Sequence, residues 1–487
     1  METTDPAKPF IKKFSDGGFF YIYDVNTNQV IEVEKPVFDA IDEFDENDAY
    51  PVQRESLDEI HRARKEHGLF SSFRPKTVTC GIMTGEGVKQ LHENGLNQIV
   101  LELSRRCTMN CAYCSTSGKY FRSQSTAPDM SETTCKKAVD FFCDRSGGSD
   151  KPFITFYGGE PLLRFDMIKE TAAYVKRKYN GKNYCFNLTT NATLLNKEIL
   201  DFFIEHDFIL LVSLDGPKNV NDRYRCFKNG KGTFDRIIKN LELLRNYNRE
   251  YYSKRVSISC VLSPPFDRID EMIDFFTTNP TIAELDGGTK ANMVYTRGTS
   301  FLEDFSLVES MKKFPEVDKK FNDRIKQAVL SGNLGNLSIE KNQAFTILYN
   351  LARKPITKLH DYSKPLGTCH IGMRRLFVNT EGHFYICERS GEEYKIGNLD
   401  SGFDYEGIAA YYRKLDEVLA DCKNCWALSH CERCWVILGN LDEFTGEKKE
   451  KFCSQSKRVI ENAFKIYTQL LRENPDCLHA FRDVVIA

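Results

Sequence analysis

The sequence predicts an α/β protein with a separate small domain at each end, and three observations carry that prediction. Residues 99–300 alternate β-rich and helical segments, which is typical of a parallel sheet with helical crossovers. Near the N-terminus, short β-rich stretches precede two helical ones, which indicates a small sheet covered by helices. Seven of the 17 cysteines fall within residues 369–453, which indicates a metal-binding part near the C-terminus.

Length and composition set the broad class of the protein. At 487 residues with 41% hydrophobic residues, the chain is long enough for about three domains with real cores. A formal net charge of −2 gives no argument for nucleic acid or an anionic membrane as a partner. We find no apolar run of about 18 residues and no apolar signal segment at the start. A cytoplasmic protein is therefore expected, in which cysteines stay reduced and point to metal rather than disulfides.

The first predicted domain spans residues 1–75. Strands are predicted within residues 10–34, at 17–24 and 29–33, and helices at 37–44 and 56–66. The first helix follows Pro36, and the second has Ser56 as its cap and ends near Gly68. A three-stranded sheet followed by helices is a winged-helix pattern. Residues 76–98 are predicted to be a linker with some helix.

The central domain, residues 99–300, carries the clearest alternation. Strands are predicted at 99–103, 153–157, 184–189, 208–213, 256–262 and 291–295. Helices are predicted at 131–145, 165–179, 196–206, 233–247 and 268–277. In folds of this kind, loops at the carboxyl ends of the strands carry the functional site.

A cysteine motif follows the first of these strands. Cys107, Cys111 and Cys114 have C-x3-C-x2-C spacing on a predicted loop. Three close thiolates can hold three irons of a cubane cluster and leave the fourth iron open for a small molecule. A structural zinc site normally closes with four ligands at paired spacings, and chance grouping is a third explanation in so cysteine-rich a chain. Tyr113 favours the cluster, because an aromatic ring there can pack on a nucleobase.

This motif after a strand resembles the signature of radical S-adenosylmethionine (SAM) enzymes. The resemblance implies that the open iron of a [4Fe–4S] cluster chelates the amino and carboxylate groups of SAM. One-electron reduction then cleaves SAM to methionine and a 5′-deoxyadenosyl radical, which abstracts a hydrogen atom from the substrate. It also implies that residues 99–300 form an open, partial (β/α)6 TIM barrel.

Two further segments fit the same resemblance at the ends of the second and third strands. Gly158 and Gly159 lack side chains, so backbone can approach a ligand there, and Glu160 is placed to attract an ammonium group. They are similar to the family's GGE motif for the SAM amino group; out of context, the segment is a turn. Asn191 is similar to the asparagine of the family's Thr-Asn-Gly motif, with Ala192 in place of glycine.

The fourth and fifth strands complete the implied SAM site. The resemblance gives Ser213 and Arg225 the role of holding the SAM carboxylate, which an arginine suits because its planar fork bonds both oxygens. The alternative for Arg225 is a solvated surface charge. Val261 and Leu262 can pack the adenine or be plain core residues. No general acid or base is identified, because the cofactors carry the hard chemistry in such enzymes.

The C-terminal cysteines form a second constellation. Two C-x2-C pairs lie five residues apart, whereas a zinc ribbon separates them by about 15–20. The set resembles the SPASM domain, here residues 366–456, which holds two auxiliary [4Fe–4S] clusters; the last spacing is x2 where the family usually has x3. The resemblance implies an outer cluster on Cys422, Cys425, Cys431 and Cys453. It implies an inner cluster on Cys369, Cys387 and Cys434.

The inner cluster is expected to have an open iron. With the SAM-binding cluster and the outer cluster, it makes three clusters in all. Related enzymes with a closed inner cluster have an eighth cysteine shortly before the first, and residues 358–368 contain none. His360 is an alternative ligand, and a substrate thiolate is the natural occupant because soft sulfur suits iron. The other cysteines fit neither set and are predicted to be small buried apolar residues, with Cys226 the one candidate near the site. They are Cys80, Cys135, Cys143, Cys185, Cys226, Cys260 and Cys477.

Taken together, the chain resembles a radical SAM/SPASM peptide maturase of the thioether-forming type. Residues 1–75 resemble the recognition element of enzymes that modify ribosomally made peptides (RiPPs), where a leader peptide adds as a strand to a sheet edge. The implied partners are a cysteine-containing precursor peptide and a flavodoxin- or ferredoxin-type reductant, with no nucleic acid and no membrane. Residues 301–365 are predicted to be a helical bridge, and the amphipathic helix in 457–487 is expected to pack on the barrel.

Three alternatives remain open at this point. One is another radical peptide modification, such as carbon–carbon crosslinking, epimerisation or decarboxylation. The second is a sulfatase-type maturase that forms formylglycine, which would not need residues 1–75. The third is a non-enzymatic iron–sulfur or zinc scaffold, which metal analysis distinguishes.

Overall fold

A computed structural model describes most of the chain, including both cysteine constellations. The described residues are 8–42, 44, 54–114, 128–294, 301, 307–341, 343–353, 359–364, 367, 369–432, 434 and 446–481. Among them, no helix combines the length and the hydropathy that a membrane crossing requires. Parts of the predicted 358–368 segment and of the region before Arg54 lie outside the described residues.

The described residues form fifteen strands and fourteen α-helices. The strands are β1 (Ile11–Asp16), β2 (Phe19–Asp24), β3 (Gln29–Val33), β4 (Thr77–Val78), β5 (Gln98–Ser104), β6 (Phe153–Gly158), β7 (Cys185–Thr190), β8 (Ile209–Ser213), β9 (Val256–Leu262), β10 (Thr289–Met293), β11 (Tyr362–Ser363), β12 (Leu376–Val378), β13 (His383–Tyr385), β14 (Lys395–Asn398) and β15 (Gly402–Phe403). The helices are α1 (Lys35–Ala40), α2 (Arg54–His67), α3 (Gly85–His92), α4 (Glu132–Cys143), α5 (Phe165–Lys178), α6 (Lys197–Glu205), α7 (Lys218–Tyr224), α8 (Phe234–Tyr247), α9 (Arg249–Arg255), α10 (Ile269–Thr278), α11 (Leu307–Leu330), α12 (Gln343–Arg353), α13 (Tyr405–Val418) and α14 (Gly446–Glu473).

A ten-stranded sheet forms the centre of the described structure and confirms the α/β prediction. Its order is β10-β9-β8-β7-β6-β5-β12-β13-β14-β15. Strands β5 to β10 are parallel to one another, and β12 pairs in parallel with β5. Strands β13, β14 and β15 each pair antiparallel with the strand before them. Helices cross between successive parallel strands, so the carboxyl ends of β5, β6, β7 and β8 meet at one edge of the sheet.

The six predicted central strands and the five helices between them are confirmed. Their apolar runs are buried because helices cover the sheet; Ile99, Leu101 and Leu103 in β5 are fully buried. Side-chain caps fix where the helices begin: Ser131 Oγ accepts from Thr134 N, and Asn196 Oδ1 accepts from Ile199 N. Helices α7 and α9 and the extension of the sheet by β12 to β15 were not predicted from the sequence.

The N-terminal sheet is antiparallel in the order β1-β2-β3. One face packs against α1 and α2 through Ile22, Val37, Ile41 and Ile60. The first helix begins two residues before the predicted start, with Pro36 in its first turn, and ends at Ala40. The winged-helix assignment of residues 1–75 stays a prediction.

The C-terminal helix α14 packs mainly on α12, α11 and β1, so the expectation that it packs on the barrel is wrong. The reason is that the second face of the N-terminal sheet is also apolar. The ring of Phe464 lies 4.5 Å from that of Tyr23 and 6.0 Å from that of Phe14. Arg472 Nη2 donates to Asp16 Oδ2 at 2.6 Å. Deleting residues 1–75 would therefore expose the apolar face of α14, and it cannot serve as a clean test of function.

Candidate functional site

The loop that follows β5 carries Cys107, Cys111 and Cys114. Cys111 is buried, and the other two thiols are half-buried. Backbone bonds dock this loop on the end of α7 and the residues just after it: Asn110 N donates to Cys226 O at 2.8 Å, and Ala112 N donates to Tyr224 O at 3.0 Å. The sequence prediction that a strand delivers the three cysteines onto a loop is confirmed.

The thiols of Cys107 and Cys111 lie close enough to the other cysteines of the loop to interact with them electrostatically. The pKa of Cys107 is raised to about 11 and that of Cys111 to about 12, mainly by burial, and the neighbouring cysteines contribute to both shifts. Without a bound cation, the thiols of Cys107 and Cys111 are therefore neutral at physiological pH. A positively charged metal centre would stabilise the thiolates, and its binding would release protons.

The cysteine donor set suits an iron–sulfur cluster. Among the described residues, no three His, Cys, Asp or Glu side chains converge closely enough to hold one metal ion. A cubane holds its thiolates farther apart than a single ion does, because each sulfur binds a different corner.

Gly158 and Gly159 hold the cysteine loop in place. Gly159 N donates to Ser104 O, and Glu160 N donates to Arg106 O, both at 2.8 Å. A Cβ added at Gly158 would lie 2.2 Å from Ser104 O, and one at Gly159 would lie 2.3 Å from Arg106 O. The backbone that lies against these glycines is that of residues 104–106, and their role in admitting a ligand stays a prediction.

Glu160 is fully buried between the ends of β6 and β7. Its carboxylate accepts hydrogen bonds from Asn191 N at 2.8 Å, Thr190 Oγ1 at 2.8 Å and Leu162 N at 3.1 Å. Burial raises its pKa, and these hydrogen bonds oppose the shift. The result is a fixed carboxylate beside the cysteine loop, which can attract a cation without having to reorganise.

Asn191 contacts the cysteine motif directly. Its Nδ2 donates to Cys107 Sγ at 3.6 Å and to Thr108 Oγ1 at 3.1 Å, while its Oδ1 accepts from Thr193 N at 2.9 Å. Hydrogen bonds to cluster sulfurs tune reduction potential. Next to it, Ala192 adopts a φ of 59°, a conformation that costs an L-residue energy. That φ explains why glycine is favoured at this position in the motif that the segment resembles.

A buried triad that the sequence analysis did not identify lies on the other side of the loop. The Tyr113 hydroxyl donates to Asp215 Oδ2, and Arg225 Nη1 donates to the Tyr113 hydroxyl at 2.9 Å. Val261 N donates to Asp215 Oδ1 at 3.0 Å. Burial raises the pKa of Asp215, and the charge of Arg225 opposes that shift. Asp215 could have been identified from the sequence because it lies within the segment Ser213–Pro217.

The structure also locates the residues predicted to contact SAM on β8, on β9 and after α7. Arg225 is 6% exposed, so the alternative of a solvated surface charge is wrong. Ser213 ends β8 and is half-buried. Leu262 lies in the main core, whereas Val261, on the opposite face of β9, packs with Tyr113 and Phe301.

Substituting Asp215→Asn is expected to lower the free energy of unfolding by about 1–3 kcal/mol, because the buried Arg225 loses the negative charge that offsets it. Thermal unfolding of the variant and the unmodified protein measures the difference. The matched control is Asp235→Asn, an exposed carboxylate on α8 paired with Lys218, which should change stability by less than about 0.5 kcal/mol. Equal losses in both variants would contradict the proposed balance of charge.

Among the C-terminal cysteines, Cys453 lies near Cys422, Cys425 and Cys431, and Cys387 lies near Cys434. Burial raises the pKa of Cys453, and the neighbouring thiols of Cys422, Cys431 and Cys425 raise it further, so the four predicted outer ligands are neighbours. Burial raises the pKa of Cys387 to about 12, with Glu388 and Cys434 adding to the shift. Cys369 Sγ accepts from Arg374 Nη1 at 3.8 Å, and His360 is exposed.

Comparison with known proteins gives one family match. Residues 101–276 match the Radical SAM superfamily. A cysteine-type anaerobic sulfatase-maturating enzyme of Clostridium novyi (strain NT) is 30% identical over 190 residues, which are 37% of this chain and 48% of that enzyme. The matched region thus spans about half of that relative.

Two further similarities cover more of the chain. The radical SAM cyclopropyl synthase TigE of Paramaledivibacter caminithermalis (strain DSM 15212 / CIP 107654 / DViRD3) is 21% identical over 378 residues, 75% of this chain and 71% of that protein. The solved structure of native anSMEcpe with bound AdoMet and Cp18Cys peptide superposes with a TM-score of 0.56. It is 18% identical and covers 80% of this chain and 99% of its own, a likeness of fold.

Proposed function

Because residues 101–276 match the Radical SAM superfamily, we propose that this chain is a radical SAM maturase of a ribosomally made peptide. Its reaction is hydrogen abstraction from a cysteine-containing precursor, followed by formation of an intramolecular thioether. The observation that carries the proposal is the cysteine loop after β5, which Gly158, Gly159 and Asn191 hold beside a buried carboxylate. The expected cofactors are SAM and three [4Fe–4S] clusters.

The chain's own residues would bind and orient SAM. The family's cluster supplies one-electron reduction of SAM when it is bound at Cys107, Cys111 and Cys114. Glu160 offers a buried carboxylate for the ammonium group of SAM. Arg225 offers a buried guanidinium whose Nε has no hydrogen-bond partner among the described residues, which suits a carboxylate ligand.

A peptide partner is supported by the edge of the N-terminal sheet. Strands β1 and β3 are the two edges of this sheet; β1 contacts α14, and β3 pairs with β2 alone within the described part of the chain. The outer edge of β3 therefore presents backbone groups on which an extended leader peptide can add as a strand. This arrangement favours a substrate that carries a leader over a small molecule. The reductant is proposed to be a flavodoxin or ferredoxin.

A second candidate is a sulfatase-type maturase, and the 30% identity to the enzyme of Clostridium novyi favours it. The two reactions differ in the fate of sulfur. Thioether formation removes two hydrogens and keeps the sulfur in a form that alkylating reagents do not modify. Formylglycine formation from cysteine removes the sulfur and leaves an aldehyde.

The test uses the full-length enzyme, purified without oxygen, with SAM, a reductant and the small cysteine-rich peptide encoded beside its gene. We expect 5′-deoxyadenosine together with a peptide that has lost two hydrogens per event and one alkylatable thiol. Mass spectrometry before and after alkylation reads both changes. An aldehyde product without sulfur would favour the second candidate, and a peptide with every thiol still reactive would refute the thioether.

A further inference from the structure

We propose that Cys80 supplies the fourth thiolate of the inner auxiliary cluster, beside Cys369, Cys387 and Cys434. The inference rests on the proposed function only in assuming that the inner cluster is present. It assigns to iron binding a cysteine that the sequence analysis treated as a small buried apolar residue.

The first support is a pair of short strands that brings Cys80 beside the segment that leads to Cys369. Strand β4 pairs in parallel with β11, with Val78 opposite Ser363. Beyond β4, Thr79 N donates to Ser363 O at 2.9 Å. Ser363 lies in the stretch before Cys369, where the resembled enzymes with a closed cluster have their eighth cysteine. Cys80 therefore lies close to Ser363, in the segment before Cys369 where the sequence has no cysteine.

The second support is the helix α13, which anchors both cysteine segments on one face. Cys80 N donates to Asp416 Oδ1 at 3.1 Å, and the Thr79 hydroxyl donates to Asp416 Oδ2. Ile371 N donates to the Tyr412 hydroxyl at 2.7 Å. Tyr412 and Asp416 are four residues apart, so they lie about 6 Å from each other on the same helix face. The Cys80 turn and the loop of Cys369 are thus held side by side.

The environment of Tyr412 is consistent with this geometry. The thiols of Cys80 and Cys369 both lie close enough to the Tyr412 hydroxyl to interact with it electrostatically. Both cysteines also pack, partly buried, against the main hydrophobic core. One hydroxyl is therefore within electrostatic reach of the two sulfurs.

The assignment changes what the inner cluster can do. When the cluster binds, the Cys80 thiol loses its proton and completes the set of four thiolates. No iron of that cluster is then left for a substrate thiolate, which replaces the expectation of an open inner iron. The thioether would form with the substrate sulfur held by the protein rather than by iron.

The test compares Cys80→Ala with Cys185→Ala, a half-buried cysteine at the start of β7, in a background that has Cys107, Cys111 and Cys114 replaced by alanine. That background leaves only the auxiliary clusters. Iron content and the electron paramagnetic resonance signal of the reduced protein are measured with and without 2-mercaptoethanol. We expect the background protein and Cys185→Ala to ignore the added thiol. Cys80→Ala should either lose one cluster's iron or show a signal that shifts when the thiol binds.

Two results would overturn the assignment: a thiol response in the background protein, or a Cys80→Ala signal and iron content identical to it. A second measurement needs no Cys80 variant. In unmodified protein, iodoacetamide should label Cys80 only after a chelator has removed the clusters, while Cys185 labels equally in both forms. Equal labelling of Cys80 in both forms would refute the ligand role. All of these readouts are independent of whether the peptide reaction occurs.

Discussion

Replacing Cys107, Cys111 and Cys114 together with alanine is expected to abolish the formation of 5′-deoxyadenosine from SAM. The three thiolates would hold three corners of the cluster whose fourth corner binds SAM, so their loss removes both the electron source and the binding site. Iron per chain should fall by about one third if three clusters are present. Chromatography of the nucleoside and iron analysis measure the two effects.

The control for this experiment is Cys185→Ala, which removes a thiol outside both constellations. It should keep full iron content and full SAM cleavage. The structure makes the triple variant a fair test, because the loop is docked through backbone bonds from Asn110 and Ala112 that alanine substitutions leave intact. Undiminished SAM cleavage in the triple variant would overturn the radical SAM proposal itself.

Substituting Gly159→Ala is expected to remove most SAM cleavage without touching a ligand. The added Cβ would lie 2.3 Å from Arg106 O and 2.7 Å from Arg105 O, which are backbone atoms that cannot rotate away. The loop must shift, and overpacking of this kind costs about 1–3 kcal/mol. Because cluster thiolates need accurate placement, we expect loss of iron from the SAM cluster as well as a lower melting temperature.

The matched control is Gly181→Ala. Nothing lies within 4 Å of a Cβ added there, and the backbone conformation is one that alanine adopts without strain. Iron content and melting temperature should equal those of the unmodified protein. If Gly159→Ala retains full iron and full SAM cleavage, the contact between β6 and the cysteine loop is not what positions the cluster.

The parts of the fold and of the site that were predicted from the sequence depend on patterns that are local in the chain. The central strands and helices follow from apolar runs and caps such as Ser131 and Asn196, which act within a few residues. The cysteine loop and Glu160 follow adjacent strands, so their meeting at one sheet edge follows from parallel pairing.

The features that were missed depend on contacts between distant segments. Asp215 belongs to the site because Tyr113 and Arg225 reach it from other elements. Cys80 becomes a candidate ligand only through the pairing of β4 with β11. The helix α14 turns toward the N-terminal sheet because that sheet has a second apolar face, which a helical periodicity in α14 cannot reveal.

One consequence follows from the course of α14. The helix carries Cys453, a proposed ligand of the outer cluster, near one end, and its last turn bonds the N-terminal sheet through Arg472. A continuous α-helix spans roughly 28 Å between these residues. The sheet that is proposed to bind the leader and the proposed outer cluster are therefore connected by one continuous α-helix. Thermodynamic reciprocity then requires that any gain in leader affinity on cluster loading be matched by an equal gain in cluster retention when the leader is bound.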